Sequence, residues 1–214
     1  MPFTQEQFFD LFGRYNRAVP LAIGLCWVAT ALLVANVVRG RRASTGLLTL
    51  MVFQWAWVGI VFHFVFFTSI NPAAWAFGAL FLGHAFVLGR HTFGTNRIAL
   101  EHGGTIRHAV ALALMAYALI YPALSVLAAG PTSAVPVFLV PCPLVILETG
   151  VLMMMREPVP RTLFVVPAVW SVVGGSAAVL FGVLPDYALF LCAVLLIVGF
   201  YRQGIVAPRL RLAT

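Results

Sequence analysis

Seven apolar stretches fill this chain, and nearly every arginine falls in the connections on one side of them. They cover residues 19–38, 47–67, 72–88, 109–129, 137–155, 163–182 and 187–201. Each approaches the ~20 residues that an α-helix needs to cross a ~30 Å hydrocarbon core. Arg39, Arg41 and Arg42 follow the first stretch; Arg90, Arg97 and Arg107 the third; Arg156 and Arg161 the fifth; Arg202, Arg209 and Arg211 the seventh. The alternate connections, residues 68–71, 130–136 and 184–186, carry no basic residue, and only Arg14 and Arg17 lie on that side. Eleven arginines against two predict, by the bias of basic residues toward the cytoplasm, an outside N-terminus and a cytoplasmic C-terminus.

At 62% hydrophobic and 9% charged, the chain is unlike a soluble domain, where about a quarter of residues are charged. The expected fold class is all-α: a polytopic membrane bundle of about seven transmembrane helices. One integral-membrane domain covers residues 1–214, with an interfacial segment at 1–18, the bundle at 19–201 and a cytoplasmic tail at 202–214. The net charge of +7 reads as orientation and as attraction of the arginine loops to anionic lipid headgroups, not as nucleic-acid binding. The partners expected are the bilayer itself, a small ligand, and a second copy through small-residue seams such as Ala74/Gly78 and Ala79/Gly83. The N-terminal segment carries Thr4-Gln5-Glu6-Gln7 and not the basic region expected of a signal peptide. Thr4 and Gln7 have capping-box spacing, and Phe3 and Phe8 that of a hydrophobic staple. Phe8, Leu11, Phe12 and Tyr15 share one face of the helix that follows, which suits the outer interface.

Several chemistries are excluded. The three cysteines, Cys26, Cys142 and Cys192, have no CxxC spacing. The chain has no lysine, so no Schiff base can form on one. No phosphate-binding or dinucleotide glycine pattern occurs.

Polar residues within spans are costly and mark functional sites. At about 1.5 Å rise per residue, His63 falls roughly 6 Å and Tyr121 roughly 12 Å from the outer edge. Cys142 lies at similar outer depth, Glu148 near the midplane, and His84 toward the cytoplasmic end. Asn71 and Asp186 are placed as caps of outer helix ends. Pro141-Cys142-Pro143 removes two backbone donors, which predicts broken or extended backbone from residue 130 to 143, with freed carbonyls able to bind a cation or a hydroxyl. Cys142 and His63, joined by Cys26 and Cys192 at similar depth, are candidate ligands of a soft metal ion. A bis-His haem is disfavoured because His63 and His84 fall at different depths; His91, His102 and His108 belong to the cytoplasmic loop.

Taken together, Phe3-Thr4-x-Glu6-Gln7-Phe8-Phe9 with Arg14-Tyr15-Asn16, Ile70-Asn71-Pro72-Ala73-Ala74, Tyr121-Pro122, Pro136-x-Phe138-x-x-Pro141-Cys142-Pro143 and Pro167-x-x-Trp170-Ser171 resemble a family of bacterial multi-pass membrane proteins of unknown function. The resemblance covers nearly the whole chain and implies the inner (cytoplasmic) membrane, but no reaction. The family pattern carries threonines where this chain has Leu144 and Glu148, so a hydroxyl-lined site does not carry over. Cys26 and Cys192 lie outside the pattern.

Three functions stay open. The first is a transporter or binding protein with an outward-facing site of His63, Asn71, Tyr121, Cys142 and Glu148, for a soft metal ion or a small solute. The second is a non-catalytic accessory subunit. The third is an outer-leaflet enzyme using His63, Cys142 and Glu148 as base, nucleophile and orienter; the six-residue step from Cys142 to Glu148 counts against it.

Overall fold

A computed structural model describes residues 2–41, 43–94, 98–101, 106–130 and 134–212, with side chains as far as residue 204. Arg42, Arg97, His102 and Pro131 lie outside these residues, as do the side chains of Arg209 and Arg211. The helices run in the order α1 (Gln5–Ala18), α2 (Pro20–Val38), α3 (Ser44–Trp57), α4 (Ala74–Phe93), α5 (Ile106–Ala129), α6 (Pro141–Met154), α7 (Thr162–Phe181) and α8 (Ala188–Leu212). Beyond Trp57, α3 continues as a π-helical stretch, Val58–Phe66, and a single 3-10 turn, Phe67–Ser69; another 3-10 turn, Leu184–Tyr187, leads into α8. No strand occurs among the described residues, only an isolated bridge between Leu100 and Met155.

Each of the seven apolar stretches corresponds to a helix. Five of the segments are long and apolar enough to cross a membrane: Pro20–Val38, Ser44–Ser69, Ile106–Ala129, Thr162–Phe181 and Leu184–Gly204. The other two helices depart from the expected bounds. α4 runs on to Phe93, because Thr92 bonds back to the Leu88 carbonyl and the Gly94 amide closes on Arg90. α6 is apolar but only 14 residues long, about 21 Å at 1.5 Å per residue.

α6 is the centre of the fold. Of its residues only Cys142 and Met153 are not buried, as expected of a helix that is apolar all round. Apolar residues exposed on the outer helices, among them Leu21, Leu25 and Leu32 on α2 and Val165, Val169 and Val172 on α7, form the kind of surface that lipid covers.

The proline-rich stretch has the expected non-helical backbone over residues 134–140 and departs from the expectation only at Pro141-Cys142-Pro143, which is already helical. Residues 134–140 are non-helical and buried or half-buried, Leu139 has φ of 58°, and α6 begins at Pro141 itself. Pro141 and Pro143 therefore stand in the first turn, where a helix has no use for the missing N–H groups. Two carbonyls of the lead-in are satisfied by α1. Tyr15 donates its hydroxyl to Leu139 at 2.7 Å, and the Asn16 amide donates to Val135 at 2.9 Å. The carbonyl freed at Leu139 thus binds a hydroxyl of the chain itself.

α1 packs as a roof over one end of the bundle. Its capping box between Thr4 and Gln7 is formed, and Phe3 stacks on Phe8 at 6.0 Å between centroids. Leu11, Phe12 and Tyr15 are buried. Trp57 donates to the Tyr15 hydroxyl at 3.0 Å, and Gln5 donates to the Phe181 carbonyl at 2.9 Å, which ties α1 to α3 and α7. At the opposite end, Arg107 and Arg202 reach Glu157 at 2.9 and 3.4 Å, and Arg156 reaches Glu101 at 2.9 Å. These ion pairs gather the connections around α4, α5 and α6 against the end of α8.

Candidate functional site

Beneath the roof lies a cavity of about 400 Å³. Phe3, Phe8 and Phe12 of the N-terminal segment line it from above, and Phe62, Phe67, Phe77, Trp170 and Phe181 from the bundle. The rings lock one another: Phe8 stacks on Phe181 at 4.5 Å, and Phe77 meets Trp170 edge-on at 5.4 Å. Such rings favour offset or edge-to-face contacts, which hold a wall in shape. Polar lining comes from Asn71, Cys142, Ser176 and Asp186. Two lining residues, Val172 and Ser176, are exposed on the outer face of α7, so the cavity reaches the apolar flank of the bundle.

Asp186 organises the polar part. It is 4% exposed and sits in the turn before α8. Its carboxylate accepts hydrogen bonds from the Tyr121 hydroxyl of α5 and from the Cys142 thiol at the start of α6. The Trp170 indole lies beside the same thiol: a Cβ built on Gly174 would meet Trp170 Nε1 at 3.1 Å and Cys142 Sγ at 3.5 Å. A glycine at 174 is what lets the indole and the thiol come this close. Asn71 lies across the cavity and starts α4, its Oδ1 accepting from the Ala73 amide at 3.0 Å in an Asx turn.

His63 sits behind the aromatic wall, wholly buried within the π-helical stretch. Its Nδ1 lies 3.0 Å from the Val58 carbonyl. A carbonyl only accepts, so Nδ1 carries the proton and Nε2 presents a lone pair, for which there is no partner. The ring packs on Phe81 at 4.6 Å and edge-on to Trp170 at 5.3 Å. π-helical turns are rare and concentrate at functional positions.

Glu148 has a different neighbour from those expected. Its Oε1 lies 2.7 Å from His84 Nε2, and both side chains are fully buried. His84 stands at the middle of the 20-residue α4, its ring 4.2 Å from that of Trp55. Among the described residues, His84 Nδ1, Glu148 Oε2 and Trp55 Nε1 have no hydrogen-bond partner.

Of the residues singled out from the sequence, Cys142 and Tyr121 are brought together, on Asp186, and Asn71 lines the same cavity. His63 and Glu148 do not join them. The nucleophilic triad left open, and disfavoured by spacing, is not assembled: Cys142 faces Asp186, His63 bonds Val58, and Glu148 bonds His84. The thiols are also separate. Cys26 packs with Phe138 and Leu139, while Cys192 on α8 meets Thr149. Among the described residues no three His, Cys, Asp or Glu side chains group as a metal site would require.

Asp186, His84 and Trp170 were the residues that sequence reasoning missed as site members. Asp186 was legible as an acid at a span edge but read as a cap. His84 was displaced by counting depth from a third span that stopped at Leu88. Trp170 carried no signal beyond being an aromatic in an apolar run.

Among the described residues the fold is all helical, and five helices have the length and apolarity to cross a membrane, the features of the membrane-protein class. The chain belongs to a family of unknown function, DUF6064, matched over residues 5–209. No curated protein and no solved structure matches it.

Proposed function

We propose that the protein crosses the inner membrane of a bacterium seven times, N-terminus outside, and binds an apolar chain-like molecule of the outer leaflet in the cavity under α1. One observation carries the reading: a cavity of about 400 Å³ with aromatic walls meets the apolar flank of α7 at Val172 and Ser176. Binding sites of about 300–1,000 Å³, mostly apolar with a few polar groups, suit small organic ligands. Asn71 and Asp186 in the lining belong to arginine-free connections, so under the arginine bias the cavity faces the outer leaflet. Asp186, Cys142 and Asn71 supply acceptor and donor groups for a hydroxyl or amide at one end of such a molecule. Whether the molecule is held or passed on, the same cavity receives it.

The test is the thermal stability of the detergent-purified protein with oleate as probe, with copper(I) in parallel. At a hundredfold excess over Kd, binding adds about 2.7 kcal/mol, or roughly 5–10 °C in Tm for a chain of this size. Oleate should raise the Tm of the native protein and leave Ala177→Trp, which fills the cavity, unchanged. No shift in the native protein, or an equal shift in both, refutes the reading. A shift with copper(I) that is lost in Cys142→Ser makes the cavity a soft-metal site instead. A ligand-free oligomer seamed through the exposed Ala79 and Gly83 favours the accessory role.

A further inference from the structure

The His84–Glu148 pair lies apart from the cavity and does nothing in the binding just described. We propose that it is an intramembrane proton-binding site, taking up and releasing one proton at His84 Nδ1 through an internal water.

The geometry restricts the protonation states. His84 Nε2 and Glu148 Oε1 are 2.7 Å apart, so one proton lies between them. With Nδ1 also protonated the pair is neutral overall, whether the shared proton sits on Nε2, giving imidazolium and carboxylate, or on Oε1, giving imidazole and carboxylic acid. Moving it between the two creates no net charge. Loss of the Nδ1 proton to water leaves a neutral imidazole donating Nε2–H to a carboxylate, with net charge minus one. Uptake reverses this. A buried group that changes charge in this way is costly in an apolar core and marks a site and not a strut.

The atoms left over point the same way. A pair serving only to join α4 to α6 would have its remaining polar atoms satisfied, because a buried unpaired donor or acceptor costs about 1–3 kcal/mol. Here Nδ1 and Oε2 are both bare, as is the Trp55 indole N–H on the ring packed against His84. In the neutral state Oε2 is an acceptor, and Nδ1 and the Trp55 indole are donors, so each offers a hydrogen bond to a water that reaches it. Further bare atoms among the described residues, His63 Nε2 and Ser171 Oγ, lie in the same core. The rings from the pair to the cavity wall are continuous: His84 on Trp55, Trp55 on Phe81 at 4.5 Å, and Phe81 on both His63 and Trp170.

The surrounding ionisable groups are few. The π-helical stretch contributes His63, α4 itself Arg90 and His91, α6 itself Cys142, and α5 Arg107, His108, Tyr117 and Tyr121. α8 contributes Cys192, bonded to Thr149 next to Glu148. α3 and α7 have none.

The experiment is infrared difference spectroscopy of the full-length protein in lipid, from about pH 4 to 9, the range spanning free Glu and His, in H₂O and D₂O. A titrating band that is lost in Glu148→Gln, exchanges with D₂O, and moves its midpoint by roughly one unit or more in His84→Gln is the expected result. Imidazole and carboxyl signals of the pair that both stay constant across the range, or refuse exchange, overturn the proposal and leave a static hydrogen bond. If Glu148→Gln does not fold, nitrogen NMR of histidine-labelled native protein decides. One buried ring must gain and lose a proton in exchange with solvent; buried rings that all stay constant refute it.

Discussion

His84 of α4 and Glu148 of α6 meet at 2.7 Å with no exposed surface on either side chain. Removing one partner strands the other, and breaking a buried pair in this way costs about 3–5 kcal/mol. His84→Leu and Glu148→Leu should each destabilise by that order. His84→Leu combined with Glu148→Leu should cost less than the sum, because no polar group is left stranded. Unfolding in mixed micelles, read as a double-mutant cycle, measures the difference. Additive losses would mean that the two residues do not act as a pair.

Gly78 and Gly83 look alike in sequence and differ in the fold. A Cβ on Gly78 would lie 2.2 Å from the Phe64 ring and 2.8 Å from the Gly59 carbonyl, whereas one on Gly83 meets nothing within 4 Å. Gly78→Ala should therefore destabilise by about 1–3 kcal/mol through overpacking. Gly83→Ala should be neutral or gain up to about 1 kcal/mol from helix propensity. Thermal melts of the two variants side by side test the close approach of α4 to the π-helical stretch.

Tyr15 holds the roof at two points, donating to Leu139 and accepting from Trp57. Tyr15→Phe keeps the ring packing and leaves both partners without the hydroxyl, a loss of about 1–3 kcal/mol. Hydrogen exchange should quicken across residues 134–140 and α1 while α6 stays protected. Faster exchange spread evenly over the bundle would contradict a local role for the roof.

Glu157 receives Arg107, Arg202 and Gln203. These groups are partly exposed, so each pair contributes little, typically up to about 1 kcal/mol. Glu157→Gln should lower stability by about 1–2 kcal/mol in low salt, and the loss should shrink as salt screens it. A salt-independent loss would assign Glu157 a packing role.

The hydrophobic runs and the arginine asymmetry depend on residue type alone, so the helices, their apolar character and the site residue Cys142 were legible along the line. The capping box of α1 was legible too, since its partners are three residues apart. What the line could not say was which polar atoms meet. Tyr121 and Asp186 are 65 residues apart, and His84 and Glu148 are 64 apart. Depth counted from span edges put His84 and Glu148 at different levels, because it assumed straight helices of equal length starting at the membrane surface. α6 starts only after a buried, non-helical lead-in, and α4 runs past its apolar stretch. Local chemistry set where helices begin and end; only packing in three dimensions decided that Asp186 gathers Cys142 and Tyr121, and that Glu148 answers to His84.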